Sequence, residues 1–214
     1  MPTPSPPRAF LPRTRRARRL TQLYAGLLCY GVSMALMIRS NLGLDPWDTF
    51  HQGLAERTGL SFGTVTILVG VAVLVLWIPL RERPGLGTVS NVLVIGLAVD
   101  ATLAVLDAPD RLPARVAFLA SGIVLNGIAT GSYIGAGMGP GPRDGLMTGL
   151  VARTGWSVRL VRTAIEVTVL ATGWLLGGTV GVGTVAYALG IGPLVHVFLP
   201  VFTVREPDGA GAGG

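Results

Sequence analysis

The chain has 214 residues, 50% hydrophobic and 13% charged, with a mean hydropathy of +0.60 and a formal net charge of +6. A soluble domain carries about 25% charge. This composition excludes a disordered chain, argues against an ordinary soluble enzyme and points to a bilayer. With one cysteine and two histidines, no internal disulfide and no cysteine cluster for zinc can form.

In chain order, residues 1–19 form a basic arm with Arg8, Arg13, Arg15, Arg16, Arg18 and Arg19. Six apolar stretches follow, near 20–39, 62–80, 87–107, 115–135, 158–176 and 182–203. Each is long enough, or nearly so, to cross a hydrocarbon core of about 30 Å as a helix of about 20 residues. The first follows its arm as a signal peptide would. It is long for a signal, however, no A-x-A site follows, and further spans come after it. The last residues, 205–214, have no apolar content to fold and are expected to be disordered.

All 17 basic residues are arginine. Six crossings that start in the cytoplasm put 13 arginines inside and 4 outside, as the positive-inside rule requires. The expectation is a multi-pass protein of the cell membrane with both termini cytoplasmic. No aromatic residues interleave the arginines of the arm, so it reads as a topogenic signal with affinity for anionic lipid and not as a nucleic-acid surface.

The chain matches itself without a gap at a shift of 96 positions. Gly26, Gly31, Gly43, Pro46 and Asp48 fall on Gly122, Gly127, Gly139, Pro142 and Asp144. Arg57-Thr58-Gly59 falls on Arg153-Thr154-Gly155, and Gly85, Gly87 and Thr88 on Gly181, Gly183 and Thr184. The matches gather in glycine, proline and polar positions, which hydropathy does not explain. They define two repeats, 20–107 and 115–203. Each reads as span, short polar helix, span, span. Three crossings is odd, so the second repeat enters from the opposite face. The fold class expected is all-α: six transmembrane helices as two inverted three-helix repeats, each with a short extra helix after its first span. Transporters built this way carry their sites near the midplane, at the repeat interface.

Each first span ends in a Gly-x-x-Pro-x-Asp turn, Gly43 to Asp48 and Gly139 to Asp144. Asp45 is a natural N-cap and Pro46 suits a first helical turn. The helix that follows stops near Thr58-Gly59 or Thr154-Gly155, too short to cross. Two readings stand. One is capping plus an interfacial turn, with Trp47 as an interfacial anchor. The other is a gate or substrate site built from two half-helix N-termini, carried by Asp45, Trp47, Asp48, Arg143 and Asp144.

The Leu42-Gly43-x-x-Pro46-Trp47-Asp48 turn, the Gly85-x-Gly87-Thr88 entry to the third span and the length near 200 residues resemble the YczE/YyaS/YitT-like family of bacterial integral membrane proteins. The likeness covers about Gln22 to Val204. It implies a polytopic cytoplasmic-membrane protein and no established substrate. The second turn departs from the pattern, with Arg143 where the first has tryptophan.

Ionisable residues inside spans are functional candidates by default. Asp100 in span three and His196 in span six occupy equivalent positions under the shift. Inversion brings both toward the centre, where they are candidates to pair or relay a proton; the alternative is that each reaches headgroups. Glu166 in span five lies four residues after Arg162, so the two share a helix face. The function expected is secondary transport of a small solute, with proton coupling open. The alternative is a non-transporting scaffold, or an accessory or substrate-capture subunit of a larger complex. No enzyme chemistry, cofactor or metal is expected. The partners are the lipid bilayer and an unknown small solute, with a homodimer or partner membrane protein left open.

Overall fold

The computed structural model describes residues 15–204. Most of the basic arm, and the 205–214 tail expected to be disordered, lie outside the described residues. Among those described, all regular structure is helical. The elements are α1 (Arg16–Ser40), α2 (Pro46–Thr58), α3 (Phe62–Leu80), α4 (Leu86–Val105), α5 (Leu112–Gly135), α6 (Pro142–Thr154), α7 (Val158–Leu176) and α8 (Val182–Phe202).

All six expected spans are helices, and the two short polar helices are present. α1 begins four residues before the expected 20–39 stretch, inside the basic arm. α1, α3, α4, α5 and α8 are long and apolar enough to cross a membrane. α7, expected as a sixth span, is not among them: it is as long as α3, 19 residues, but carries Arg159, Arg162 and Glu166.

Local chemistry sets the boundaries. Asp45 caps α2, its carboxylate accepting from the backbone N–H groups of Trp47 and Asp48. Ser61 and Ser157 cap α3 and α7 by accepting from Thr64 N and Leu160 N. α2 and α6 both end at a glycine with a positive φ, Gly59 at 72° and Gly155 at 70°, where a side chain would be strained.

α1 packs along α5 and α4, and α5 along α8. α1 and α5 run antiparallel: Gln22 Nε2 donates to Ser132 O near one end (2.9 Å), and Arg115 Nε to Ser40 O near the other (2.7 Å). Close approach depends on small residues, as between helices in lipid. A Cβ on Gly31 would stand 2.5 Å from Ala98 Cβ, and one on Gly127 would stand 2.6 Å from Leu194 Cβ. Within this layer Asn126 donates to Ser33 Oγ (2.9 Å) and accepts from Tyr187 OH (3.1 Å).

The short helices reach across the molecule. α2 packs on α7, and α6 on α3. The chain before each short helix leans on the start of a distant span: Gly183 N donates to Leu42 O (2.7 Å) and Gly87 N to Met138 O (2.8 Å). These two bonds are equivalent under the shift of 96. One packing is not reproduced in both halves. α3 lies along α4, whereas α7 does not pack along α8.

Candidate functional site

The two Gly-x-x-Pro-x-Asp turns enter the interior and meet there. Arg143, the second residue of α6, extends its guanidinium to the start of α2. Its Nη1 lies 3.7 Å from Asp45 Oδ1 and its Nη2 lies 3.6 Å from Asp48 Oδ1. The guanidinium carbon sits 4.9 Å from the centroid of the Trp47 ring, a cation–π distance. Trp47 and Arg143 are equivalent under the 96-residue shift, so the two turns touch through matching positions.

This junction borders a partly open cavity of about 410 Å³ lined by α1, α2 and α4 to α8. That volume is in the lower part of the range of small-molecule sites, roughly 300–1,000 Å³. Asp45, Trp47, Arg143, Asp144, Arg162 and Glu166 line it, and Asp48 lies behind Arg143. Six of the nine expected site residues therefore share one wall system, and a seventh touches it. Trp47 is 8% exposed, which corrects the alternative that placed it at an interface as an anchor.

Asp100 and His196 are a correction. Neither lines the cavity, and among the described residues no ion pair joins them. Asp100 accepts from Ser61 Oγ (2.5 Å) and Gly63 N (2.7 Å), fastening α4 to the start of α3. His196 is exposed on α8. The equivalence of the two positions is real, but it does not bring the side chains together.

The charge balance at the junction is uneven. Asp45 is 3% exposed and Asp48 is 1% exposed, and both face one guanidinium. Neither Asp48 oxygen receives a hydrogen bond. Charge-assisted contacts normally close to about 2.7–2.9 Å, so Arg143 holds both carboxylates loosely. Burial pushes the Asp45 carboxyl up to about 7, with the nearby Asp48 charge adding and Arg143 opposing. Burial also raises Asp48, against the pull of Arg143. His51 Nδ1 stands 3.4 Å from Asp48 Oδ1 and 3.4 Å from Thr66 Oγ1. Burial, then Arg143, brings this imidazole down to about 3, so it is neutral.

Across the cavity, Arg162 Nε and Glu166 Oε1 form the expected i,i+4 pair at 2.9 Å. Tyr133 OH donates to Asp144 Oδ2 at 3.5 Å. Burial raises Asp144, opposed by Arg143.

Three lining tyrosines, Tyr30, Tyr133 and Tyr187, are not among the residues expected from the sequence. A signal exists for two of them. Tyr30 aligns with Asn126 across the repeats, and Asn91 with Tyr187. Tyrosine and asparagine thus stand at exchanged positions in the two matched segments.

These features define a helical membrane protein with a cavity lined by charged residues. The chain belongs to a family of unknown function, DUF6198, whose model matches residues 17–200. An uncharacterized protein of Haemophilus influenzae is 39% identical over 188 residues, covering 88% of this chain and 86% of that protein. The uncharacterized membrane protein YczE of Bacillus subtilis is 37% identical over 186 residues (85% and 86%). The uncharacterized protein YyaS of the same bacterium is 27% identical over 180 residues (82% and 90%). The resemblance carried by the Leu42 to Asp48 turn therefore holds. No solved structure matches the chain.

Proposed function

We propose that the chain is a secondary transporter or permease for a small solute, built from two inverted three-helix repeats. In this reading α1, α3, α4, α5, α7 and α8 cross the membrane. α2 and α6, each about 20 Å long at 1.5 Å per residue, are half-helices that enter from opposite sides. The antiparallel packing of α1 on α5 and the reciprocal bonds at Gly87 and Gly183 support opposite threading. Irregular backbone at membrane depth is tolerated where it lines a cavity, which suits the 41–45 and 137–141 segments. Arg143 and Arg162 line the cavity and leave the inner arginine count. An inner excess remains, so both termini stay cytoplasmic.

The observation that carries the reading is the meeting of two half-helix N-termini, through Arg143 on Asp45, Asp48 and Trp47, at the wall of a partly open cavity. The unequal packing of the halves adds to it. The cavity is walled by both α7 and α8, which do not pack along each other, while α3 is shut against α4. Exchanging these two arrangements would move the opening to the other side, as alternating access requires. Purified protein in proteoliposomes, screened for uptake of a broad panel of small solutes, tests the reading. The expected result is saturable flux lost in Arg143→Gln. No flux across the panel would favour the scaffold instead, and reporter fusions that place both repeats in the same orientation would remove the inverted architecture.

A further inference from the structure

Arg143, Asp45 and Asp48 form a set whose charges do not cancel. Two carboxylates and one guanidinium sum to one negative charge in a buried place, and an uncompensated buried charge is costly. The two carboxyl groups face the same guanidinium, at 3.7 Å and 3.6 Å. Asp48 also lacks any donor for either oxygen. One proton shared between Asp45 and Asp48 answers both facts, since it neutralises the set and supplies the missing hydrogen bond.

Other groups face the pair. Tyr30 on α1 and Tyr187 on α8 line the same cavity as Asp45. His51 is the neighbour on α2 itself. α3 contributes Thr66, which does not titrate. Asp144 lies beyond Arg143 on α6, with Tyr133 of α5 bonded to it, and the Arg162–Glu166 pair of α7 closes the far wall. The only cation in direct contact with the two carboxylates, among the described residues, is Arg143.

Arg143 also opens on the cavity. Its side chain keeps 30% of its surface accessible, and both its carboxylate contacts are longer than a hydrogen bond. Trp47, Ile95, Met147 and Ile165 give the wall an apolar and aromatic part; its other charged members are Asp45, Asp144 and the Arg162–Glu166 pair, in which Arg162 is already held at 2.9 Å. One loosely held guanidinium in such a wall matches a single carboxylate carried on an apolar body.

We propose that the cavity takes a small organic monoanion, its carboxylate on Arg143 and its apolar body against the aromatic wall, and that Asp45 and Asp48 take up one proton as it binds. This rests on the carrier reading only for its consequence, symport. The charges balance. Before binding, the pair holds one proton and the set is neutral. The anion then claims Arg143 and leaves one negative charge on the pair. A proton from water neutralises it, so one anion and one proton occupy the site together without net charge.

Calorimetric titration of the purified protein with benzoate, in two buffers of different ionisation enthalpy, counts the protons. The expected result at neutral pH is uptake of about one proton per benzoate bound. Arg143→Gln should weaken benzoate binding at least about tenfold. Asp45→Asn with Asp48→Asn should retain binding without proton uptake, and asparagine preserves the helix cap. Should that double variant fail to fold, infrared spectroscopy of the unliganded protein gives an independent reading: a protonated carboxyl band at neutral pH, lost in Asp48→Asn alone. Absence of benzoate binding, binding without proton uptake, or preference for benzylamine with proton release would each overturn the proposal. Proton-linked benzoate binding without flux in proteoliposomes would keep this site and reject the carrier. Flux of some other solute with no proton-linked benzoate binding would do the reverse.

Discussion

α3 and α7 match under the shift of 96 positions and behave differently. α3 nests against α4 because Gly63 and Gly70 present no side chain. A Cβ on Gly63 would collide with Gly96 O, and one on Gly70 would stand 3.0 Å from Val92 Cγ1. The matching positions on α7 are Arg159 and Glu166, with Arg162 where α3 has Thr66. Charged side chains cannot enter such a groove, so α7 stands off from α8 and contributes Arg162 and Glu166 to the cavity wall. The turns differ in a similar way. Asp45 and Trp47 of the first correspond to Gly141 and Arg143 of the second. Two tryptophans would leave the buried aspartates without a cation, and two arginines would set like charges together. The cavity wall thus draws on positions at which segments matched by the shift of 96 differ, Asp45 and Trp47 against Gly141 and Arg143.

The strongest way to break this contrast is Gly63→Arg, which gives α3 the residue that α7 carries. The new side chain meets backbone, which cannot rotate aside. The expected outcome is loss of the α3–α4 packing and a destabilisation above about 3 kcal/mol, read as a lost monodisperse peak on size exclusion. Arg159→Gly on α7, where the side chain is exposed, should be tolerated. Equal tolerance of both changes would show that the α3–α4 closure is not built on glycine.

Next in size is Arg143→Gln. It leaves Asp45 and Asp48 buried without a cation, and breaking a buried pair from one side costs on the order of 3 kcal/mol. The loss should be largest at alkaline pH, where both carboxylates are charged. It should shrink in acid, and it should be recovered when Asp45→Asn and Asp48→Asn are added. Thermal melts of the three variants across pH check this. A pH-independent loss would mean that Arg143 acts through packing on Trp47 alone.

Much of this contrast is legible in the order of the amino acids. The repeat, the helix boundaries and the Asp45 cap depend on local patterns such as glycine, proline and capping residues at fixed spacing. Even the α3 and α7 difference is written in residues 63, 66 and 70 against 159, 162 and 166. Local patterns do not supply which face of each helix turns inward. Asp100 and His196 align under the shift, yet a helix rotates its positions by about 100° per residue, and alignment says nothing about who stands opposite. Tyr30, Tyr133 and Tyr187 are hidden for the same reason. A tyrosine in an apolar span looks like lipid-facing filler until its neighbours are known.

A smaller effect concerns the pH dependence of Asp45. Its folded value of about 7 lies above the 3.8 expected when exposed. A carboxyl raised on folding favours the folded state when protonated. Its contribution is full below about 4 and is lost as pH rises through about 7. Between pH 5 and 8 the melting temperature should fall, and Asp45→Asn should remove about 5 °C of that fall, equivalent to about 1–2 kcal/mol for a chain of this size. Identical pH profiles for the two proteins would place the shared proton elsewhere.

The smallest effect separates Asp100 from His196, the two positions equivalent by sequence and different in role. Asp100 ties α4 to α3, holding Ser61 and Gly63 at the start of α3. His196 has no such task, because α7 does not pack along α8. Asp100→Asn keeps the shape and weakens two charge-assisted bonds, at a cost of about 1 kcal/mol. His196→Gln, on an exposed site, should stay within about 0.5 kcal/mol. Neither lines the cavity, so benzoate affinity should be unchanged in both, whereas a relay through these residues would require both to alter proton uptake. A change in uptake without a change in melting temperature would restore the relay and would mean that α7 and α8 close together in a second state of the protein.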